Sequence, residues 1–142
     1  MVHKDHFDRP KGRAAIRDVR LCRNDTPPQV PLDIAKFDAS KATVNGQASI
    51  RKEKDALIIE IPGGQSFTWP GVNLKPQNGG SYFDLSGGSV LAMDVTNLAG
   101  YPATFRCQIE NLGADGREFC VKGGRGFEAG ETATMRIRFY RD

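Results

Sequence analysis

Thr132-Ala133-Thr134-Met135-Arg136-Ile137-Arg138-Phe139-Tyr140 sets Ala133, Met135, Ile137 and Phe139 against Thr134, Arg136, Arg138 and Tyr140. Side chains of an extended chain alternate between two faces, so this run reads as a strand with one apolar and one polar face. Two more segments have the same period. Ser89–Asn97 opposes Leu91, Met93 and Val95 to Val90, Ala92, Asp94 and Thr96, and Thr104–Asn111 opposes Phe105, Cys107 and Ile109 to Arg106, Gln108 and Glu110. Working outward, Ala56–Ile61 is a β-branched run ended by Pro62-Gly63-Gly64, and Arg117–Lys122 gives a shorter strand. Pro31–Asp38 supplies a first strand with Leu32, Ile34 and Phe37 inward, and Phe67–Leu74 and Ser81–Leu85 are short candidates. Asn45-Gly46 signals a tight turn, while Gly100, Gly113–Gly116 and Gly123–Gly126 mark further turns. Many short strands with Gly-rich turns and no clear helical period predict an all-β antiparallel sandwich.

The 142 residues have room for one domain, and the formal charge of +3 tolerates an anionic partner without demanding one. No run is apolar enough to cross a membrane as a helix, so no membrane partner is expected. Residues 1–30 read differently from the rest: basic, with thinly spread apolar residues, ending in Asp25-Thr26-Pro27-Pro28-Gln29-Val30-Pro31. They are expected to form a partly ordered arm or linker, with a short helix near Arg13–Arg20, ahead of a β-sandwich module over residues 31–142. Lys4, Arg9, Lys11, Arg13, Arg17, Arg20 and Arg23 concentrate there. No RNA-recognition signature accompanies them, so no nucleic-acid partner is expected. Cys22, Cys107 and Cys120 cannot all pair within one chain. Cys107 and Cys120, on successive predicted strands, suit a bridge and suit two buried free thiols equally.

Residues suited to catalysis are sparse. The two histidines, His3 and His6, lie in the arm, and no Ser-His-Asp or Cys-His arrangement can be built without them. Glycoside hydrolysis needs two carboxylates flanking the bond. The best pair, Asp94 and Glu110, is expected on one face of adjacent strands among arginines. The expectation is a protein that is not an enzyme. Polar side chains of the long strands are the better candidates: Asp94, Arg106, Gln108, Glu110, Arg136 and Arg138 are expected on one sheet face. Arginine forks there match carboxylate or sulfate oxygens bidentately and bond vicinal hydroxyls. Trp69, the one tryptophan, lies in a loop-like setting where its ring can stack on a sugar, with Tyr82 and Tyr101 as alternatives.

Phe83-Asp84-Leu85-Ser86-Gly87, then Asp94-Val95-Thr96-Asn97, then Phe105 to Asn111, and last Phe127-Glu128-Ala129-Gly130-Glu131-Thr132 form a pattern. It resembles the galactose-binding-like jelly roll of carbohydrate-binding modules. It is particularly similar to the non-catalytic modules that precede the catalytic barrel in β-agarases and related polysaccharide hydrolases, and the resemblance covers roughly residues 31–142. It implies a jelly roll that binds polysaccharide, such as a sulfated galactan, on a concave sheet face. The module would be secreted as part of a longer chain, with the attached catalytic domain as its partner. It also implies a structural Ca²⁺ held by oxygens of the first and last strands, where Asp38 and Asp142 stand. Two other readings remain: a structural sandwich packed on a catalytic neighbour without binding glycan, and a stand-alone hydrolase or lyase.

Overall fold

A computed structural model describes residues 11–23, 26–29, 31–63, 71–76, 83, 85, 88–110 and 120–139. The strands, in chain order, are β1 (Gly12–Arg23), β2 (Thr26–Gln29), β3 (Thr43–Asn45), β4 (Ser49–Glu53), β5 (Ala56–Ile61), β6 (Gly71–Asn73), β7 (Val90–Asn97), β8 (Ala103–Glu110), β9 (Cys120–Phe127) and β10 (Thr132–Arg138). All their pairings are antiparallel. The main sheet runs β10-β7-β1-β5-β4, with β2 also paired to β1, and the β8–β9 and β3–β6 pairs form two small sheets. Phe105, Cys107, Ile109 and Val121 of the β8–β9 pair, with Val72 and Leu74, pack on a core of Ile16, Leu57, Ile59, Met93, Val95, Met135 and Ile137. The protein is therefore an all-β sandwich.

The largest departure from expectation concerns residues 1–30. Gly12–Arg23 is neither arm nor helix: it is the central strand of the main sheet, between β5 and β7. The module cannot begin at residue 31. A bulge hides this strand from a period-two reading. Ala14 and Ile16 face the core, and so do Val19 and Leu21. The register against β7 shifts between Arg17 and Arg20, where Asp18 takes φ +51°. One extra residue there lets apolar side chains spaced by three share one face.

Other differences are local. Pro31–Asp38 is not a strand but runs into two 3-10 turns, Ile34–Lys36 and Ala39–Lys41, capped by Asp33 and Asp38, although Leu32, Ile34 and Phe37 are buried as expected. Asn45-Gly46 turns the chain, yet the strands beside it do not pair with each other. β3 pairs with β6 and β4 with β5, and the tight hairpin lies instead at Lys54-Asp55 with Lys54 at φ +52°. Gly123–Gly126, read as a turn, lies inside β9. A Cβ at Gly123 would stand 3.0 Å from Cγ1 of Ile137, so glycine there lets β9 lie close on β10. The expected strand over Phe67–Leu74 is described only from Gly71 onward. Only Phe83 and Leu85 of Ser81–Leu85 are described, and neither is in a strand.

The two layers are tied at one end by Asn97, a buried polar side chain at 4% exposure. Its Nδ2 donates to the carbonyls of Tyr101 (2.9 Å) and Glu128 (3.1 Å), and its Oδ1 accepts from the Ala99 N–H (3.0 Å). Its backbone N–H donates to the Glu131 carbonyl, and its own carbonyl accepts from Gly130, which takes φ +76° in the turn. Glu131 secures the same turn, accepting from the Glu128 N–H and from Arg125. These two bonds hold its carboxyl below the ordinary range, the Glu128 N–H being the stronger influence. Asn97→Ala strands buried donors and acceptors on both loops. Denaturant unfolding should show a loss of about 3 kcal/mol; a loss under about 1 kcal/mol would mean the node is not structural.

Candidate functional site

The outer face of the main sheet follows from register. Arg20, Ala92 and Arg136 form one row across β1, β7 and β10. Arg17, Asp94 and Thr134 form the next, then Ala15, Thr96 and Thr132. On the other side, Arg13 faces Glu60, Glu60 faces Ser49, and Arg51 faces Ile58. The face thus carries Arg13, Arg17, Arg20, Arg51, Arg136 and Arg138. Under them Ala15, Ala56 and Ile58 form a small buried cluster, flanked by Arg13, Arg17 and Arg51, whose long aliphatic stems can cover such side chains.

Asp94 sits at the centre of the β1–β7–β10 part of this face. Its Oδ1 accepts from Thr134 Oγ1 at 2.8 Å and from Arg20 Nη2 at 3.2 Å. Burial works to raise its pKa, but those two hydrogen bonds and the charges of Arg20 and Arg136 outweigh it and leave the carboxyl below its ordinary value. Asp94 is therefore an ionised anchor that aims Arg20. Elsewhere Arg17 pairs with Asp55 at 3.3 Å. Arg51 Nη1 donates to Glu60 at 2.6 Å, and this bond, ahead of the Arg13 charge, lowers the Glu60 pKa. Arg138 has no hydrogen-bond or ion-pair partner among the described residues.

The expected site is divided. Asp94, Arg136 and Arg138 are on the outer face of the main sheet. Arg106, Gln108 and Glu110 are on β8, which pairs only with β9. Phe105, Cys107 and Ile109 of β8 point into the core between the layers, so the alternate Arg106, Gln108 and Glu110 face away on the opposite side of the sandwich. There Gln108 Nε2 donates to Glu110 at 2.7 Å, and Arg106 lies over Gly124. Asp94 and Glu110 are therefore not neighbours and do not flank a common bond. The expectation failed because β7 and β8 are consecutive but not paired: β1 occupies the place beside β7. In exchange the structure adds Arg13, Arg17 and Arg20 to the face. Sequence reasoning missed them by assigning them to an arm, though their two- and three-residue alternation with Ala14, Ile16, Val19 and Leu21 was the available signal.

No family model, curated protein or solved structure matches the chain.

Trp69, Tyr82 and Asp142 lie outside the described residues. Asp38 serves its own turn: Oδ1 accepts from the Ser40 hydroxyl at 2.6 Å and the Ser40 N–H at 3.1 Å, and these bonds lower its pKa, the hydroxyl leading. Among the described residues no group of three or more His, Cys, Asp and Glu side chains gathers to hold a metal. No helix among them is long and apolar enough to cross a membrane.

Cys107 and Cys120 do not bridge, and Cys22 is also free. Cys107 stands opposite Gly123, and Cys120 opposite Glu110, so the two thiols sit on opposite faces of the hairpin. Burial pushes the Cys107 thiol up to about 11. The thiolate is the reactive form, so Cys107 should resist alkylation in native protein at about pH 8.5, where a free thiol is half ionised. Peptide mass mapping checks this; modification as fast as in denatured protein would contradict the packing of β8.

Proposed function

We propose that this chain is a non-catalytic binding module that holds an acidic polysaccharide against the outer face of its main sheet. The carrying observation is the cluster of Arg17, Arg20 and Arg136 around Asp94, with Arg138 further along β10 on the same sheet face. Guanidinium forks pair bidentately with sulfate and carboxylate and also bond sugar hydroxyls. An open sheet face suits an extended polymer better than a small buried substrate, which needs a concave pocket. The resemblance to galactose-binding-like modules supports a sulfated galactan as the polymer. It also supports secretion and an attached glycoside hydrolase as the partner. Linking a binding face to a catalytic domain raises the local substrate concentration without any new contact to the reacting bond.

The test is retention of the purified protein on agarose, carrageenan, porphyran, alginate, xylan and cellulose, with and without chelator. Acidic polymers should retain it, and added salt should weaken retention by screening. The Arg136→Ala/Arg138→Ala pair should cost about tenfold in affinity, while Arg106→Ala, on the opposite side of the sandwich, should leave affinity unchanged. Equal loss in both variants, or no retention by any acidic polymer, would defeat the assignment. Loss of retention with chelator would support the calcium expectation. Release of reducing ends or unsaturated product would instead favour a hydrolase or lyase.

A further inference from the structure

The same outer face ends, beside Asn97, in an open cleft of about 490 Å³ lined by Lys11, Arg13, Gln47, Glu60, Leu98 and Tyr101, with Pro62 and Gly63 on the side away from Arg17 and Arg20. Three features mark it as built. Tyr101 is fixed, because its carbonyl accepts from the buried Asn97 side chain at 2.9 Å. Lys11 is seated, its Nζ 4.6 Å from the centre of the Tyr101 ring and its stem so close to Gly63 that a Cβ there would stand 3.3 Å from Lys11 Cδ. Arg13 meets Glu60 only through Nε, at 3.6 Å, so its Nη1 and Nη2 have no partner among the described residues. Leu98 is 40% exposed beside them, held by its N–H bond to the Arg13 carbonyl at 2.8 Å.

The cleft thus offers two cations, an aromatic ring and an exposed aliphatic side chain within one depression, its one carboxylate, Glu60, being bonded by Arg51 at 2.6 Å. An acidic pyranose matches this set, having a carboxylate or sulfate for the cations, hydroxyls for polar groups and an apolar C–H face for Leu98 and the Tyr101 rim. Position adds a direction. From Arg13 the arginines continue along β1 to Arg20, on the order of 20 Å by strand rise. On the opposite side the chain continues past β5 through Pro62 and Gly63, bounding the cleft.

We infer that this cleft binds the terminal acidic sugar of the polysaccharide, with Lys11 and Arg13 on its anionic group, so that the module recognises chain ends as well as the polymer along β1. This rests on the polysaccharide reading of the outer face. Isotope-labelled protein of all 142 residues would be titrated with galactose 4-sulfate and with a carrageenan hexamer, following backbone amides. Both ligands should shift Gly12, Arg13, Leu98 and Tyr101, and the hexamer alone should also shift β7 and β10. Lys11→Gln and Tyr101→Ala should each weaken hexamer binding about tenfold, the equivalent of about 1.4 kcal/mol, and Tyr101→Phe should retain it. Hexamer shifts confined to β7 and β10, with both variants binding as the parent does, would overturn the cleft and leave the polysaccharide reading standing. Shifts at neither place would overturn both. Melting curves of Tyr101→Ala separate lost binding from lost folding, and Lys11→Gln, at an exposed position, gives the same comparison without touching the Asn97 node.

Discussion

One inserted residue at Asp18 allows a single strand to hold the main sheet together. β1 must present Ala14 and Ile16, and then Val19 and Leu21, to the same core, a spacing that a regular strand cannot satisfy. The bulge absorbs the mismatch, with Asp18 at φ +51° and its carbonyl accepting from Arg20 Nη1 at 2.9 Å. Asp tolerates this left-handed region better than most residues. Because β1 lies between β5 and β7, both halves of the sheet depend on that correction. The same correction turns Arg17 and Arg20 outward together, beside Asp94.

The second constraint is Asn97, the first residue beyond the Thr96 row of the outer face. Its side chain fixes the 98–101 loop and the Glu128–Glu131 turn simultaneously. Gly130 serves this end of the fold by supplying a positive φ in the turn, while Gly123, nearer the opposite end of β7, lets β9 close onto Ile137. Chain closure between the layers and the placing of Leu98 and Tyr101 are thus one event. The arginine face and the end cleft share β1 as their axis, so the surface proposed to bind polymer is assembled by the residues that assemble the fold.

Much of this was legible in sequence. The strands β7, β8 and β10 follow directly from alternation, as does the inward set Met93, Val95, Met135 and Ile137, and β5 follows from its β-branched run. What alternation cannot encode is which strand lies beside which. Arg106 and Arg136 share a polar phase in sequence but belong to opposite sides of the sandwich, since β8 leaves the sheet to which β7 and β10 belong. β1 was hidden for a different reason: its bulge breaks the period, and alanines and arginines have weak strand preference. β9 was shortened by reading Gly123–Gly126 as a turn, when close packing against β10 explains at least Gly123. Fold class was therefore accessible from local pattern, whereas the site depended on long-range pairing.

The central claim is that Gly12–Arg23 is the core strand that organises sheet and face. Native-state hydrogen exchange of the full chain tests it most directly. If the claim holds, the amides of β1 that pair with β5 and β7 exchange only with global unfolding, as slowly as those of β7. Exchange of those amides within minutes, while β5 and β7 stay protected, would contradict it and return residues 12–23 to the status of an arm.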